Sequence, residues 1–283
     1  MINMRINNNI GALNTQKQAG INNNAVAGKL EKLSSGKKVN RASDDAAGLA
    51  ISEKMRTQIL GAMTASRNTQ DAVSLIQVAE GGLQGIHNML QRARELAVQS
   101  ASDTNQDKID REAMQSEFEN IVREVDDTAD KTEFNGMKIL DGTNSPITIQ
   151  AGANSDDTVN IEIGAMNAAE LLGFDGARYN ASTDANLASG ATASSAIGTI
   201  DNAINDVSLQ RAELGALQNR LEFRMQALDI QAENATAAES RVRDTDMAKT
   251  MSELTAKNIL QKASTAMLAH ANARPQGVLG MLW

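Results

Sequence analysis

His87 and His270 are the only imidazoles in the 283-residue chain, and they fall on different helical stretches. Acid–base or metal chemistry needs groups that converge on one point, and these two do not. Asp44-Asp45 and Asp126-Asp127 supply paired carboxylates, but adjacent residues do not share a helix face. Capping or solvated charge is the expected role of both pairs. "ANSDDTVN" (Ala153–Asn160) is as oxygen-rich as a calcium loop, yet it lacks the Gly and final Glu spacing of an EF-hand. No HExxH, nucleophile elbow or phosphate loop occurs. The chain has no cysteine, which removes disulfides and thiolate ligands. We therefore expect no catalytic residue, no cofactor and no metal: the chain reads as a non-enzyme. Asn180-Ala-Ser and Asn234-Ala-Thr spell glycosylation sequons, a pattern frequent by chance.

The remaining chemistry-bearing feature is charge. Residues 1–42 carry seven basic groups and one acid, and residues 241–283 carry six and three, against a net charge of −8 for the whole chain. The middle is strongly acidic. Basic ends without interleaved aromatic residues, in a chain only 2% aromatic, point to solvated helix faces and not to nucleic acid. No run of about 18 apolar residues exists, so no membrane insertion is expected. Met1–Gly28 lacks the apolar core of a cleaved signal peptide.

The elements that position these groups are mostly helices. Pro146 and Pro275 are the only prolines, so long stretches are free of the strongest helix breaker. Ile6, Ile10 and Leu13 open a first helical pattern, which Ile21, Leu30 and Leu33 continue less regularly. Gly36 suits the position just past a helix end, and Ser43 followed by Asp44-Asp45 suits a helix start. Gly36–Ala42 is thus a joint, with a second helix from near Asp44. Ile76, Ala79, Leu83, Ile86, Leu90, Ala93 and Ala97 alternate steps of three and four, the seam of a coiled coil. Gly81, Gly82 and Gly85 interrupt it, for close helix approach or a kink. Met114, Phe118, Ile121 and Val125 mark a third helix, ended by turn chemistry over Glu133–Pro146. Ile147–Ile149 and Val159–Ile163 alternate apolar and polar and are the one good β signal. Ala177–Ser195 reads as a loop. Leu214, Leu217, Leu221, Met225, Leu228, Ala232 and Ala235 give a long heptad helix. Met247, Met251, Leu254, Leu260 and Met267 mark a last helix that stops before Pro275. Arg241–Asp246 is the returning counterpart of the first joint. The bundle core is expected at Ile76, Leu83, Ile86, Leu90, Leu214, Leu217, Leu221 and Leu228.

"RINNNIGALNTQKQ" (Arg5–Gln18), "LEKLSSGKKVNRASDDAAGLAISEKM" (Leu30–Met55), "LQRARELAVQSASDTN" (Leu90–Asn105), "EFNGMKILDG" (Glu133–Gly142), "QAGAN" (Gln150–Asn154) and "ARPQGVLGMLW" (Ala273–Trp283) together resemble bacterial flagellin over nearly the whole chain. The resemblance implies a mainly α fold: a long antiparallel coiled-coil-like bundle, a small β-hairpin region, and both termini as helices paired in an inner tube domain. Its domains would be 1–35 (N-terminal tube helix), 36–43 (joint), 44–240 (bundle, with the β-hairpin at about 137–175 and a short variable loop at about 176–195), 241–246 (joint) and 247–283 (C-terminal tube helix). Little or no outer domain is expected.

The same resemblance implies an extracellular filament subunit, made in the cytoplasm and exported by the flagellar type III apparatus without a cleaved signal. Its partners would be itself, an export chaperone, and cap and hook-associated proteins. Subunits would pack through Ile6, Ile10, Leu13, Leu30, Leu33, Met251, Leu254, Leu260 and Met267. Residues of about 1–40 and 245–283 would order on polymerisation. "LQRARELAVQ" resembles the segment read by Toll-like receptor 5, which carries contacts over to Gln91, Arg92, Leu96 and Glu117. A hook–filament junction protein of the same family is the other reading of these termini. A chemoreceptor-like hairpin would need a membrane span and would lack the β segment.

Overall fold

The computed structural model describes residues 8–102, 109–173, 187 and 189–279. Among the described residues six helices dominate: α1 (Ile10–Ser35), α2 (Ala46–Ser100), α3 (Asp110–Lys131), α4 (Ala168–Leu172), α5 (Gly190–Arg243) and α6 (Met247–Leu279). Two antiparallel strand pairs join them, β1 (Glu133–Phe134) with β2 (Met137–Lys138) and β3 (Ile147–Gln150) with β4 (Thr158–Ile161). The chain forms two compact units, residues 1–59 with 233–283 and residues 60–232. These divide inside α2 and α5, away from the joints at 36–43 and 241–246.

The unit of residues 60–232 holds the main core. All seven residues of the α2 seam, from Ile76 to Ala97, are fully buried. From α3, Phe118, Val122 and Val125 pack into the same cluster, as do Leu214 and Leu221 of α5, with Leu217 half-buried against it. Leu228 joins Ala62, Ala65 and Ala232 in a smaller cluster. Helices α2 and α5 run antiparallel, with Arg94 paired to Asp201, Glu80 to Arg211 and Ser66 to Asp229. Between Phe118 and Val125 of α3 the buried position is Val122, with the expected Ile121 only half-buried.

Four further details differ from the sequence expectation. The first is the start of α5. Residues 177–186 and 188 lie outside the described residues, but Gly190–Ser195 is helix and not loop. Ser189 and Thr192 exchange hydrogen bonds through side chain and backbone, Ser189 N–H to Thr192 Oγ1 at 3.3 Å and Thr192 N–H to Ser189 Oγ at 3.4 Å. That reciprocal arrangement satisfies donors at a helix start. The seam of α5 then runs Ala193, Ala196, Ile200, Ala203, Val207, Gln210, Leu214, Leu217 and Leu221, at alternating steps of three and four. Gln210 stands in an apolar seam because its amide has work there. Its Nε2 donates to the Glu162 carbonyl at 3.0 Å and its Oε1 accepts from Gly164 N–H at 3.3 Å, fixing the chain just after β4. Leu187 is likewise buried and tied down, its N–H to Gln115 Oε1 and its carbonyl to Ser100 Oγ.

The second difference is an extra hairpin inside the segment read as a turn. Asn135 and Gly136 both have positive φ, 53° and 76°, between Phe134 and Met137 in register. Asn-Gly is the pair that a two-residue hairpin loop of this hand demands. Third, of the three glycines in the α2 seam region, only Gly82 is under close approach. A Cβ there would lie 2.8 Å from Leu140 Cδ1 and 2.9 Å from Thr132 Oγ1, whereas Gly81 and Gly85 face open space. The segment that closes in is the turn after α3, and α2 continues unbroken.

The fourth is the start of α2. Asp45, not Ser43, caps the helix: its Oδ1 accepts Gly48 N–H at 2.9 Å. A Cβ on Gly48 would sit 2.4 Å from Asp45 Oδ2, so glycine keeps room for the cap. Asp44 closes the joint instead, its Oδ2 accepting the N–H groups of Asn40 and Arg41 at 3.1 Å each. Those two backbone bonds hold its carboxyl below the usual range.

Candidate assembly surface on the terminal helices

Helix α1 begins at Asn9, whose Oδ1 accepts Ala12 N–H at 3.0 Å, and ends at Gly36 in the left-handed conformation with φ 70°. The expected helix stop at Gly36 is therefore where the backbone needs a residue without Cβ. Beyond it, the two joints meet. Lys37 and Asp244 form an antiparallel bridge, Lys38 N–H donates to the Arg243 carbonyl at 2.7 Å, and Thr245 N–H donates to the Gly36 carbonyl at 3.0 Å. Arg243 is buried beside this bridge and reaches Glu53 Oε1 at 2.7 Å and Glu239 at 3.7 Å.

Helix α6 pairs antiparallel with α1, and the pairing is polar. Asn22 Nδ2 donates to the Leu260 carbonyl and the Ser264 hydroxyl at 3.4 and 3.5 Å. Gln261 Nε2 donates to Asn23 Oδ1 at 2.8 Å, and Lys29 pairs with Glu253, whose carboxyl is held below its ordinary value by that ammonium. Only Ala19 and Asn22 of α1 are buried. On α6, among the described side chains, the buried residues are Thr250, Leu254 and Ser264.

This arrangement sorts the expected packing seam. Leu254 sits inside the helix pair and Leu33 is half-buried. Ile10, Leu13 (71% exposed), Leu30, Met251, Leu260 and Met267 (57% exposed) all face away from it. Ile21 and Ile259, absent from the expected set, are exposed in the same way. Ile6 lies outside the described residues. Hydrophobic periodicity did not point to Asn9, Asn22, Gln261 and Ser264, because the bonds that join the two helices are made by amides and a hydroxyl.

Helix α6 does not stop before Pro275; it runs on to Leu279. Proline has no N–H for the carbonyl four residues earlier, here that of Ala271. Asn9 Nδ2 supplies the missing donor at 2.7 Å. One side chain thus caps α1 and repairs α6. Asn9→Asp keeps the capping acceptor but turns the donor into an oxygen facing an oxygen. We expect Asn9→Asp to cost the α1–α6 pair about 1–3 kcal/mol, at least as much as Asn9→Ala. Loss of helical content on heating checks this; a simple cap would leave Asn9→Asp neutral.

A second surface lies on the unit of residues 60–232. Arg92 is exposed and bridges Glu117 Oε1 at 2.8 Å and Glu95 Oε2 at 2.9 Å, which pushes its guanidinium pKa up. Gln91 contacts the His87 ring at 2.9 Å. Leu96, by contrast, is 2% exposed and belongs to the core. The structure brings Arg92 and Glu117 together at the surface and removes Leu96 from it. Among the described residues, no cluster of three or more His, Asp or Glu is placed to hold a metal, and no helix is long and apolar enough to cross a membrane.

Comparison with known proteins bears on this pairing of helical termini. Residues 6–145 match the family model described as the bacterial flagellin N-terminal helical region, and residues 197–282 match the bacterial flagellin C-terminal helical region. The chain is 48% identical to flagellin of Halalkalibacterium halodurans over 279 residues, covering 99% of this chain and 100% of that one. It is 48% identical to flagellin of Bacillus subtilis over 304 residues, again covering 99% and 100%. It is 46% identical to the flagellar filament 31.3 kDa core protein of Treponema maltophilum over 290 residues, with the same coverage. With both terminal helical regions matched and full-length relatives at this identity, the chain belongs to the bacterial flagellin family.

Proposed function

We propose that this chain is the structural subunit of a bacterial flagellar filament and polymerises through α1 and α6. The observation that carries the reading is the inverted terminal pair. Small and polar residues together with Leu254 face inward, and most of its large apolar residues face solvent. A 26-residue helix with two buried residues gains little from its partner, and isolated helices are marginal in water. The outward Ile, Leu and Met side chains find burial only when other copies surround the pair. Family membership supports export from the cytoplasm without a cleaved signal and assembly outside the cell with chaperone, cap and hook-associated proteins. Electron microscopy of the purified chain after a polymerisation trigger tests the proposal. Long tubes with a central channel are expected, and soluble dimers would contradict it.

A receptor-binding role for the Arg92 surface has one observation in its favour: Arg92, Glu117 and Gln91 are all exposed on a unit with a full core of its own. An exposed arginine at the centre of a contact is a common binding hot spot. Arg92→Ala should then lower signalling through Toll-like receptor 5 by about tenfold or more with the helical content unchanged. Unaltered signalling would remove the role.

A further inference from the structure

The joint region of the unit containing both termini encloses a cavity of about 390 Å3. Five cations wall it: Lys29, Lys32, Lys38, Arg241 and Lys249. Three carboxylates share it, and two are already engaged. Glu253 pairs with Lys29, and Asp246 accepts Lys249 N–H at 3.0 Å as the start of α6. The third is Asp244 of the joint bridge. Lys32, Lys38, Arg241 and the Lys249 ammonium make no ion pair among the described residues. A concave site with several uncompensated cations attracts carboxylates, and the field is stronger where the walls exclude water.

The chain also supplies the complementary charge. Residues 1–59 and 233–283 hold fifteen basic against nine acidic residues; residues 60–232 hold twelve against twenty-six. Within that acidic unit, α3 stands out, with eight carboxylates against three cations in 22 residues. Glu117, Glu124 and Asp127 recur along it at steps of seven and three, which places them on one exposed face; there Glu117 pairs with Arg92 and Asp127 with Lys131, while Glu124 makes no ion pair among the described residues.

We propose that the joint cavity receives the acidic face of α3 from a second copy of the chain. The pairing rests on the filament reading and gives it a direction. A basic site on one unit and an acidic helix on the other make a heterologous contact, which repeats from copy to copy without closing on itself. Complementary potentials of this kind set register and exclude misplaced neighbours.

Charge reversal in the full-length chain tests the proposal, read as the critical concentration for polymerisation by sedimentation, with circular dichroism reporting fold. Lys32→Glu with Lys249→Glu should raise it about tenfold or more, and Glu124→Lys with Asp127→Lys should do the same. All four changes in one chain should return it to within about threefold of the unchanged protein. Lys32→Gln with Lys249→Gln, a smaller perturbation, should raise it about threefold and decides the matter if the reversed chain does not fold. A cavity-reversed chain that polymerises at the unchanged concentration overturns the proposal and leaves the filament reading standing. A folded four-fold variant as defective as either pair also overturns it. Absence of polymer from the unchanged chain overturns the filament reading, and this proposal with it.

Discussion

Replacing Leu13 and Leu30 together by glutamate is expected to raise the concentration needed for polymer formation more than about a hundredfold and to leave the residue 60–232 unit folded. Both leucines are largely exposed on α1, at 71% and 58%, so the folded chain loses little internal contact. Burying a leucine contributes about 1.5–3 kcal/mol, so a subunit joining a polymer forfeits roughly 3–6 kcal/mol at these two positions. Each glutamate also has to enter an apolar contact, where an unpaired charge costs several kcal/mol more. Since about 1.4 kcal/mol is a factor of ten, the critical concentration should rise by more than about a hundredfold. Sedimentation measures it directly. Assembly of the variant at the unchanged concentration would mean that these side chains have no role between subunits.

The second large effect falls on the other unit. Phe118 is fully buried on α3 and is one of four phenylalanines in the chain. It packs in the cluster formed by α2, α3, α5 and the β3–β4 pair. Truncation to alanine removes the ring and leaves a cavity that close-packed neighbours fill only in part. We expect Phe118→Ala to lower the stability of this unit by about 3–5 kcal/mol, read from the midpoint of its denaturant unfolding at constant slope. A loss under about 1 kcal/mol would show that the neighbours collapse into the space. The Arg92 bridge to Glu117, one residue before Phe118, is exposed and adds little to this stability.

The contrast between these two variants follows from what a sequence encodes plainly. The α2 seam was legible because burial against neighbouring helices forces large or small apolar residues at steps of three and four, and nothing in the solvent competes for those positions. Gly36 was legible because the left-handed backbone excludes most other residues. The first half of α5 was not, since four of its six seam positions up to Gln210 are alanine or amide in a stretch rich in Ser, Thr and Gly. Close packing against α2 is what makes alanine serve as core there. The hairpin at Asn135-Gly136 carried its turn signal in full, but its strands are two residues long and show no alternation. Ser43 and Asp45 are both good caps, and the choice between them is made by tertiary geometry: Asp44 is already bonded to the joint, and Gly48 leaves space for Asp45. Proline at 275 reads as a stop by local rules, yet the helix runs on, and the carbonyl left without a donor is met by the distant Asn9 amide.

The candidate assembly surface was legible in part. Apolar residues on α1 and α6 were identified by type, but which of them face inward depends on how the two helices pair. That pairing is set by Asn22, Ser264, Gln261 and Asn9, polar residues that any periodicity count passes over. The consequence is an ordering of stability along the chain. The unit with Phe118 and the α2 seam holds itself together, while α1 and α6 have few buried contacts and many solvent-facing ones, the profile of a segment that opens readily.

Hydrogen exchange on monomer and on assembled filament tests this ordering most directly. The account predicts that the amides of α1 and α6 exchange rapidly in the monomer and become protected in the filament, while those of α2 around Leu83–Leu90 are protected in both. Strong protection of α1 and α6 in the monomer, unchanged on assembly, would contradict the claim that the terminal helices are completed by neighbouring subunits.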